Sequence, residues 1–191
     1  REIEDNLSRM SCIDHVESVT VNRPTYTPND PYWNNQYGLE LIQADLAYDL
    51  WDIDGGEVPG EMASGEVVVG IVDNSLEWDH PDLVENIWQN LGEDADGDGV
   101  VIIQSGGSWI FDPGDVNGID DDGDNYVDNF IGWDVSFNDN DPMPINNQYD
   151  HGTNVAGCVS ASTNNGTGIA SVGWSVKLMG INSTDDPGFV T

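Results

Sequence analysis

The sequence predicts an α/β fold built on a parallel β-sheet. Residues 67–72 form an apolar, mostly β-branched run, which is typical of a central parallel strand covered on both faces. A run of small residues at 155–161 predicts a tightly packed helix that begins near His151, and a second apolar strand follows at residues 176–181. The order strand, helix, strand predicts a right-handed crossover between parallel neighbours.

The composition indicates one globular domain. A chain of 191 residues is long enough to bury one core. A hydrophobic fraction of 38% together with seven tryptophans argues against a disordered chain.

The charge of the chain is strongly one-sided. There are 36 acidic and 4 basic residues, which give a formal net charge of -32. This balance excludes ordinary nucleic-acid binding, because that function needs Lys and Arg side chains on the phosphates. It also predicts self-repulsion in a compact fold unless cations neutralise part of the charge. A salt-adapted, solvated surface and bound calcium both fit, and the two are compatible because the acidic residues are clustered.

The cysteines and the apolar runs give little information about function. Cys12 and Cys158 are far apart in sequence, and Cys158 falls in the small-residue helix, so a buried free thiol is expected rather than a disulfide. No apolar run approaches membrane-spanning length, and no signal peptide is present. The chain starts at Arg1 and not at Met, so we expect a cut N-terminus.

Residues 1–23 differ from the rest. Residues 14–21 partly alternate like a strand, and three prolines predict an extended linker at residues 22–31. Residues 44–51 predict a short amphipathic helix. The expected apolar face of that helix consists of Leu46, Ala47, Leu50 and Trp51.

A long acidic insertion at about residues 91–130 contains two calcium-like segments. In residues 94–99 and residues 120–128, carboxylates stand at alternate positions with Gly or Asn where the loop must turn. Hard cations need several oxygens that converge from one short loop, so we expect calcium, although a merely solvated acidic loop is the alternative. Neither segment has the Glu of an EF-hand at its twelfth position. The candidate ligands are Asp94, Asp96, Asp98, Asp120, Asp122, Asp124 and Asp128. Residues 130–134 then predict a buried strand.

Asp73 and His151 are the candidate chemical pair. Asp73 ends the first predicted strand, where open α/β sheets place their active sites, and His151 stands at the mouth of the predicted helix. A carboxylate beside an imidazole suits acid–base chemistry, because it holds the tautomer and stabilises the protonated ring. His80 lies next to Pro81 and is interpreted as a turn residue.

These residues resemble a known family. Residues 69–73 and 80–83, followed by residues 151–157, resemble the first two catalytic blocks of the subtilisin-like serine proteases. Residues 26–38 are similar to the mature start of the thermitase branch. The resemblance covers most of residues 24–183, and the insertion lies outside it.

The resemblance implies a three-layer, parallel-sheet subtilisin-like fold that is incomplete at the C-terminus. Asp73 would be the triad acid and His151 the general base of a serine-type endopeptidase acting on protein or peptide substrates. The triad serine and the oxyanion-hole asparagine would lie beyond Thr191, so the fragment is expected to be inactive alone. A secreted or cell-surface location is implied, with a broad cleavage preference or processing at basic residues.

The resemblance also implies a calcium site and a propeptide. Residues 1–23 are similar to the tail of the inhibitory propeptide, with self-cleavage near residues 22–26, and residues 24–191 to the N-terminal part of the peptidase domain. The implied calcium ligands, distinct from the two acidic segments, are the side chains of Asp30, Asp82 and Asn165 and the backbone carbonyls of Ser162, Thr167 and Ile169.

Two departures from the family pattern leave a second hypothesis open. Asn74 and Ser75 replace the usual Thr-Gly or Ser-Gly after the acid, and Asn154 replaces a second histidine. The alternative is a non-catalytic calcium-binding or adhesion module on a degenerate protease scaffold. An aspartic protease centred on Asp73 is disfavoured, because no second catalytic aspartate block is visible.

Overall fold

A parallel sheet and one helix carry the residues of interest. The computed structural model describes residues 25–61, 67–144 and 150–183. The strands are β1 Val68–Asp73, β2 Ile102–Ser105, β3 Ser108–Phe111, β4 Gly132–Asp134 and β5 Lys177–Asn182, and the helices are α1 Tyr37–Leu41, α2 Ala44–Tyr48 and α3 His151–Ser160.

The main sheet has the order β1-β5-β4, and both neighbouring pairs are parallel. In this register Asp73 and Asp134 both lie beside Asn182, so the three polar side chains share the carboxyl edge of the sheet. The Asn182 side-chain amide donates to Asp134 at 2.6 Å, and the Ser183 backbone N–H donates to the Asp73 carbonyl at 2.8 Å. The predicted parallel arrangement of β1 and β5 is confirmed.

The main core lies between the sheet and α3. Ile71 and Leu178 contribute from the sheet and Ala156 from the helix, all of them buried. Phe130 and Ile131 are completely buried just before β4, which confirms the predicted buried strand at that place. The helix predicted to begin near His151 is also confirmed.

The prediction that β1 is central and covered on both faces is wrong for the part of the chain described. The strand stands at one edge of the three-stranded sheet, and Val68 and Val72 are 42% and 63% exposed. Successive side chains of a strand point to opposite faces, and only the face with Val69 and Ile71 packs into the core.

The predicted apolar face of the second helix is also wrong. The helix ends at Tyr48, and its buried residues are Ala44 and Tyr48. Tyr48 packs edge-on against Trp174 with ring centroids 4.9 Å apart, and its hydroxyl donates to the Ser171 carbonyl. A large aromatic ring with a satisfied polar tip therefore decides which side is buried. The expected face, Leu46, Ala47, Leu50 and Trp51, is exposed.

Cys158 is free, as predicted, but exposed where a buried thiol was expected. Helix α3 turns its smallest residues inward instead, with Gly152, Ala156, Gly157 and Ser160 buried. The strand predicted at residues 14–21, the proposed propeptide tail at residues 1–23 and Cys12 lie outside the described residues.

The acidic insertion is anchored to this core by aromatic side chains. Its antiparallel hairpin, β2 and β3, ends at Phe111. The Phe111 ring stacks on Trp78 with centroids 5.0 Å apart and packs on Phe130 at 5.2 Å. The insertion is therefore part of the folded domain. Among the described residues, no helix has the length and apolar character needed to cross a membrane.

Replacing Gly132 by Ala should destabilise the protein by about 2–4 kcal/mol. Gly132 has φ 139°, and a Cβ there would overlap the carbonyl oxygen of Gly180 on the neighbouring strand. Urea denaturation measures the effect. The matched control is Gly38→Ala in α1, where a Cβ meets nothing within 4 Å. Equal stability of the two variants would contradict the close approach of β4 and β5.

Candidate active site and cation-binding loops

Asp73 and His151 form the hydrogen-bonded centre of the candidate site. The Nδ1 atom of His151 lies 2.8 Å from Oδ1 and 2.9 Å from Oδ2 of Asp73. The side chain of His151 is 50% exposed and that of Asp73 18% exposed. The carboxylate is therefore sheltered behind the imidazole, while Nε2, the ring nitrogen that does not face Asp73, belongs to a half-exposed side chain.

The backbone after β1 fixes the carboxylate of Asp73. The Asn74 N–H donates to Asp73 Oδ1 at 2.8 Å, and the Asn74 side-chain oxygen accepts the Gly152 N–H at 3.2 Å. Asn74 is buried, and it links the strand that carries the acid to the helix that carries the histidine. Asn74 is one of the residues at which the sequence departs from the family pattern, and its side chain bridges the strand and the helix.

Ser75 takes up the backbone conformation that a glycine would favour. Its φ is 154°, and it is buried. In the family pattern a glycine stands at this position, so the departure introduces local strain of about 1 kcal/mol or more. The strain adjoins the candidate acid but leaves the Asp73–His151 bond formed.

Close contact between α3 and the end of β1 sets the distance between acid and base. A Cβ on Gly152 would overlap the Ser75 carbonyl oxygen and lie 2.9 Å from the Asp73 Cβ. The Thr153 hydroxyl oxygen accepts the Glu77 N–H at 2.9 Å, which ties the next turn of the chain to the same helix. A small residue at position 152 is thus required for the histidine to reach the carboxylate.

His80 has the turn role that the sequence suggested. Its carbonyl accepts the N–H groups of Leu83 and Val84, and its Nδ1 accepts the Asp82 N–H at 3.1 Å. This turn places Asp82 next to the segment that follows the C-terminal end of α3.

Asp82 and Asp30 both contact the turn after α3, which carries the other residues of the predicted calcium site. Asp82 Oδ2 accepts the Ile169 N–H at 2.9 Å, and Oδ1 lies 3.0 Å from the Asn165 side-chain amide. Asp30 accepts the N–H groups of Asn164 and Asn165 at 2.8 and 3.3 Å. Two carboxylates from distant segments thus converge on one tight turn.

The remaining predicted ligands of that site lie on the same turn. The Asn165 side-chain oxygen accepts the Thr167 N–H at 2.7 Å, while its amide nitrogen faces Asp82. The Ser162 N–H donates to the Asp82 carbonyl at 2.8 Å, and its buried hydroxyl has no hydrogen-bond partner among the described residues. These oxygen donors suit a hard cation such as calcium.

The insertion contains two clusters of carboxylates. Asp94, Asp96 and Asp98 can place one oxygen each within 4.8 Å of one another. Asp120 and Asp122 form the second cluster together with Glu93, which is completely buried. Sequence reasoning missed Glu93. Its only signal was its place directly before the first acidic segment, and nothing in the spacing connects it to residues 120–122.

Asp124 and Asp128 lie outside these clusters. The Asp124 carboxylate accepts the Tyr126 N–H at 2.8 Å and the Asn129 side-chain amide at 2.9 Å. The Asp128 carboxylate instead accepts the Gly118 N–H at 3.0 Å. In this arrangement Asp128 caps the turn at residues 117–118, and the suggestion that it extends the second ligand set stays a prediction.

Burial raises the pKa of several carboxyl groups. Burial raises the pKa of Asp30 and of Asp82, and hydrogen bonds from backbone N–H groups partly offset it. The pKa of Glu93 and the pKa of Asp115 are raised in the same way, and neighbouring carboxylates add to both increases. Each of these groups favours its charged form less than a solvated carboxyl group does.

Comparisons with known proteins identify the family of this chain. A model of the subtilase family matches residues 64–191. The chain belongs to the subtilase family. The resemblance drawn from the two catalytic blocks is confirmed, and the matched range contains both Asp73 and His151.

Several subtilases are similar over most of this chain. Thermitase of Thermoactinomyces vulgaris is 30% identical over 164 residues, which cover 85% of this chain and 39% of thermitase. Subtilisin-like protease 1 of Plasmodium berghei is 30% identical over 158 residues, which cover 83% and 21% of the two chains. Halolysin of Haloferax mediterranei is 26% identical over 168 residues, which cover 88% and 23%. The chain therefore spans well under half the length of these relatives.

The fold is also similar to that of a solved serine protease structure. The Aeromonas sobria serine protease, solved in complex with a chaperone, matches with a TM-score of 0.51 and 18% identity, over 94% of this chain and 24% of that one. The predicted α/β subtilisin-like fold is confirmed.

Replacing Gly152 by Ala should destabilise the protein by about 2–4 kcal/mol, because the added methyl group must push α3 away from the end of β1. Thermal and urea unfolding measure the loss. Gly157→Ala is the matched control in the same helix, since its Cβ would meet only Ile169 Cδ1 at 3.4 Å. A tolerated Gly152→Ala would contradict the close contact.

In excess chelator, the stability of the protein should fall as the pH rises above about 4. The pKa of Asp30, Asp82, Glu93 and Asp115 is raised in the folded state, mainly by burial. Their stabilising contribution is therefore complete below the pKa of the unfolded chain and is lost as the pH passes the folded pKa. Urea midpoints at pH 4.5 to 7.5 check this slope, and stability that rises with pH throughout would contradict it.

Proposed function

We propose that this chain supplies the acid and base of a secreted, calcium-stabilised serine endopeptidase. The observation that carries the proposal is the hydrogen bond between His151 Nδ1 and Asp73, at the end of a parallel strand in a subtilase chain. Two proton-handling groups in this order and geometry suit peptide-bond hydrolysis by an Asp/His/Ser triad.

The division of roles follows from which ring nitrogen is engaged. Asp73 holds the proton on Nδ1 of His151, so Nε2 is left as the acceptor. A serine hydroxyl delivered to Nε2 would lose its proton as it attacks the peptide carbonyl, and the imidazolium would then protonate the leaving amine. Asp73 stabilises the imidazolium without taking the proton. The serine and the oxyanion-hole asparagine are expected beyond Thr191, so the 191-residue chain alone should be inactive.

The named relatives support the substrate class and the location. The similar proteins are described as proteases, so protein or peptide substrates are proposed for this chain. One relative, of Natrialba magadii, is described as an extracellular serine protease and is 25% identical over 167 residues. Residues 1–23 would act as a partner from within the same protein, as the tail of an inhibitory propeptide.

Calcium would stabilise the fold from three places. Asp30, Asp82 and Asn165, with carbonyl groups of Ser162, Thr167 and Ile169, would hold one ion where the N-terminal segment meets the turn after α3. The other two places are the acidic clusters around Asp94 and Asp120. Oxygen-only donors fit a calcium ion better than a transition metal, and the buried Ser162 hydroxyl, which has no partner among the described residues, is a further oxygen at this place.

A non-catalytic calcium-binding module remains the second candidate. Two observations next to the acid favour it: the glycine-like φ of Ser75 and the buried Asn74 side-chain nitrogen, which has no partner among the described residues. Both are what a scaffold freed from selection for turnover could accumulate. The intact Asp73–His151 bond argues the other way.

The full-length protein separates the two hypotheses. With casein or a labelled peptide as substrate, it should show activity that a serine-directed inhibitor abolishes. His151→Ala should lower kcat/KM by about 10³-fold or more, and Asp73→Asn by a similar factor. The free energy of unfolding of both variants should stay within about 1 kcal/mol of the wild-type value. Asp79→Asn, a nearby acid outside the pair, serves as the control. Absence of inhibitor-sensitive cleavage in a folded, calcium-loaded protein would favour the non-catalytic module.

A further inference from the structure

The two acidic clusters are built on one repeated hydrogen-bond scheme. In acidic loop 1 (residues 94–100), the Asp94 carboxylate accepts the N–H groups of Gly97, Asp98 and Gly99 at 2.8, 3.2 and 2.9 Å. Asp96 accepts the Asp98 N–H at 3.1 Å. The first and third residues of the loop thus fold the backbone around a concave face lined by carboxylates.

Acidic loop 2 (residues 120–126) repeats this scheme position by position. The Asp120 carboxylate accepts the N–H groups of Gly123, Asp124 and Asn125 at 2.6, 3.1 and 2.9 Å. Asp122 accepts the Asp124 N–H at 3.0 Å. The two loops are therefore structural counterparts.

Each loop is also held by one buried carboxylate from outside it. Glu93 accepts the N–H groups of Asp121 and Asp122, the second and third residues of acidic loop 2. Asp115 accepts the N–H groups of Ala95 and Asp96, the second and third residues of acidic loop 1. Asp115 therefore holds the first loop as Glu93 holds the second. Glu93 lies within 4.8 Å of its loop's carboxylates, whereas Asp115 lies outside the group of Asp94, Asp96 and Asp98 and contacts that loop through its backbone N–H groups.

Asp115 has an oxygen with no partner. Its side chain is completely buried, and while Oδ1 accepts the two N–H groups, Oδ2 has no hydrogen-bond partner among the described residues. Burial raises the pKa of Asp115, and the nearby charges of Asp96 and Asp94 raise it further. An unpartnered buried carboxylate oxygen beside two more carboxylates is costly unless the group is protonated or a cation lies between them.

We propose that Asp115 completes a divalent-cation site with Asp94, Asp96 and Asp98, and that its Oδ2 is the ligand from outside the loop. A contiguous EF-hand loop takes this carboxylate from a Glu at its twelfth position, which acidic loop 1 lacks. The ligands are all hard oxygen donors, so calcium is the ion expected. The proposal extends the calcium part of the proposed function and does not depend on peptidase activity.

The test is calcium binding to the full-length protein after chelator treatment and dialysis, followed by isothermal titration calorimetry with calcium chloride. Asp115→Asn keeps the Oδ1 acceptor for Ala95 and Asp96 and removes the charge on Oδ2. It should bind one calcium ion fewer, or bind that ion at least about tenfold more weakly. Glu61→Gln, an exposed acid outside the insertion, removes the same charge and should bind calcium as the wild type does.

A thermal shift separates a ligand from a structural residue. In chelator, Asp115→Asn should melt at or above the wild-type temperature, because an unpaired buried charge is gone, and calcium should raise its Tm less than it raises that of the wild type. If Asp115 had a purely structural role, Asp115→Asn would have a lower Tm both in chelator and in calcium, and it would bind as many ions as the wild type. Each of these two results would overturn the proposal.

A second variant covers the case in which Asp115→Asn does not fold. Asp98→Asn changes an exposed residue of the same loop and should lose the same calcium ion. Wild-type calcium stoichiometry and affinity in Asp98→Asn would then overturn the proposal. If the wild-type full-length protein binds calcium as proposed but shows no peptidase activity, that result counts against the proposed enzyme function alone.

Discussion

Negative charge without cationic side chains is the constraint on which this fold depends. The four basic residues are Arg1, Arg9, Arg23 and Lys177, so the described residues carry Lys177 alone of the lysines and arginines. Seven carboxylates are nevertheless buried: Asp30, Asp82, Glu93, Asp112, Asp115, Asp128 and Asp134. Among the described residues, Lys177 alone cannot balance this charge through ordinary ion pairs. Backbone N–H groups and side-chain amides take that place, and we propose that calcium supplies the rest.

Helix α3 connects the buried carboxylates to the candidate active site. At its N-terminal end, the helix is fixed to β1 by the contact of Gly152 with Ser75 and by the bond between Asn74 and Gly152. Beyond its C-terminal end, the next turn is held by Asp30 and Asp82. The helix that carries His151, the proposed general base, therefore lies between a strand and two carboxylates, and both restrict where this helix can lie.

The insertion bears on the same region. Phe111 stacks on Trp78, which lies five residues after Asp73, and the Trp78 indole N–H donates to Asp141 at 3.2 Å. Ordering of the acidic loops would thus stabilise the segment around Trp78 that follows the candidate acid Asp73. We infer that the insertion has a structural role in the domain.

The sequence was most informative where chemistry requires fixed local patterns. Asp73 and His151 could be found because a strand end and a helix mouth each have a recognisable signature. The acidic loops could be found because their spacing is local. Glu93 and Asp115 could not, because each acts on a loop some twenty or more residues away and no spacing rule connects them. The buried side of α2 was missed because tertiary packing of Tyr48 on Trp174 outweighs a short apolar pattern.

The most direct measurement is anomalous diffraction from crystals of the full-length protein grown with calcium. Our account predicts ions at three places: between Asp82 and Asn165, in acidic loop 1 next to Asp115, and in acidic loop 2 next to Glu93. Crystals grown in saturating calcium that show no ion at any of these places would contradict the claim that cations balance the buried carboxylates.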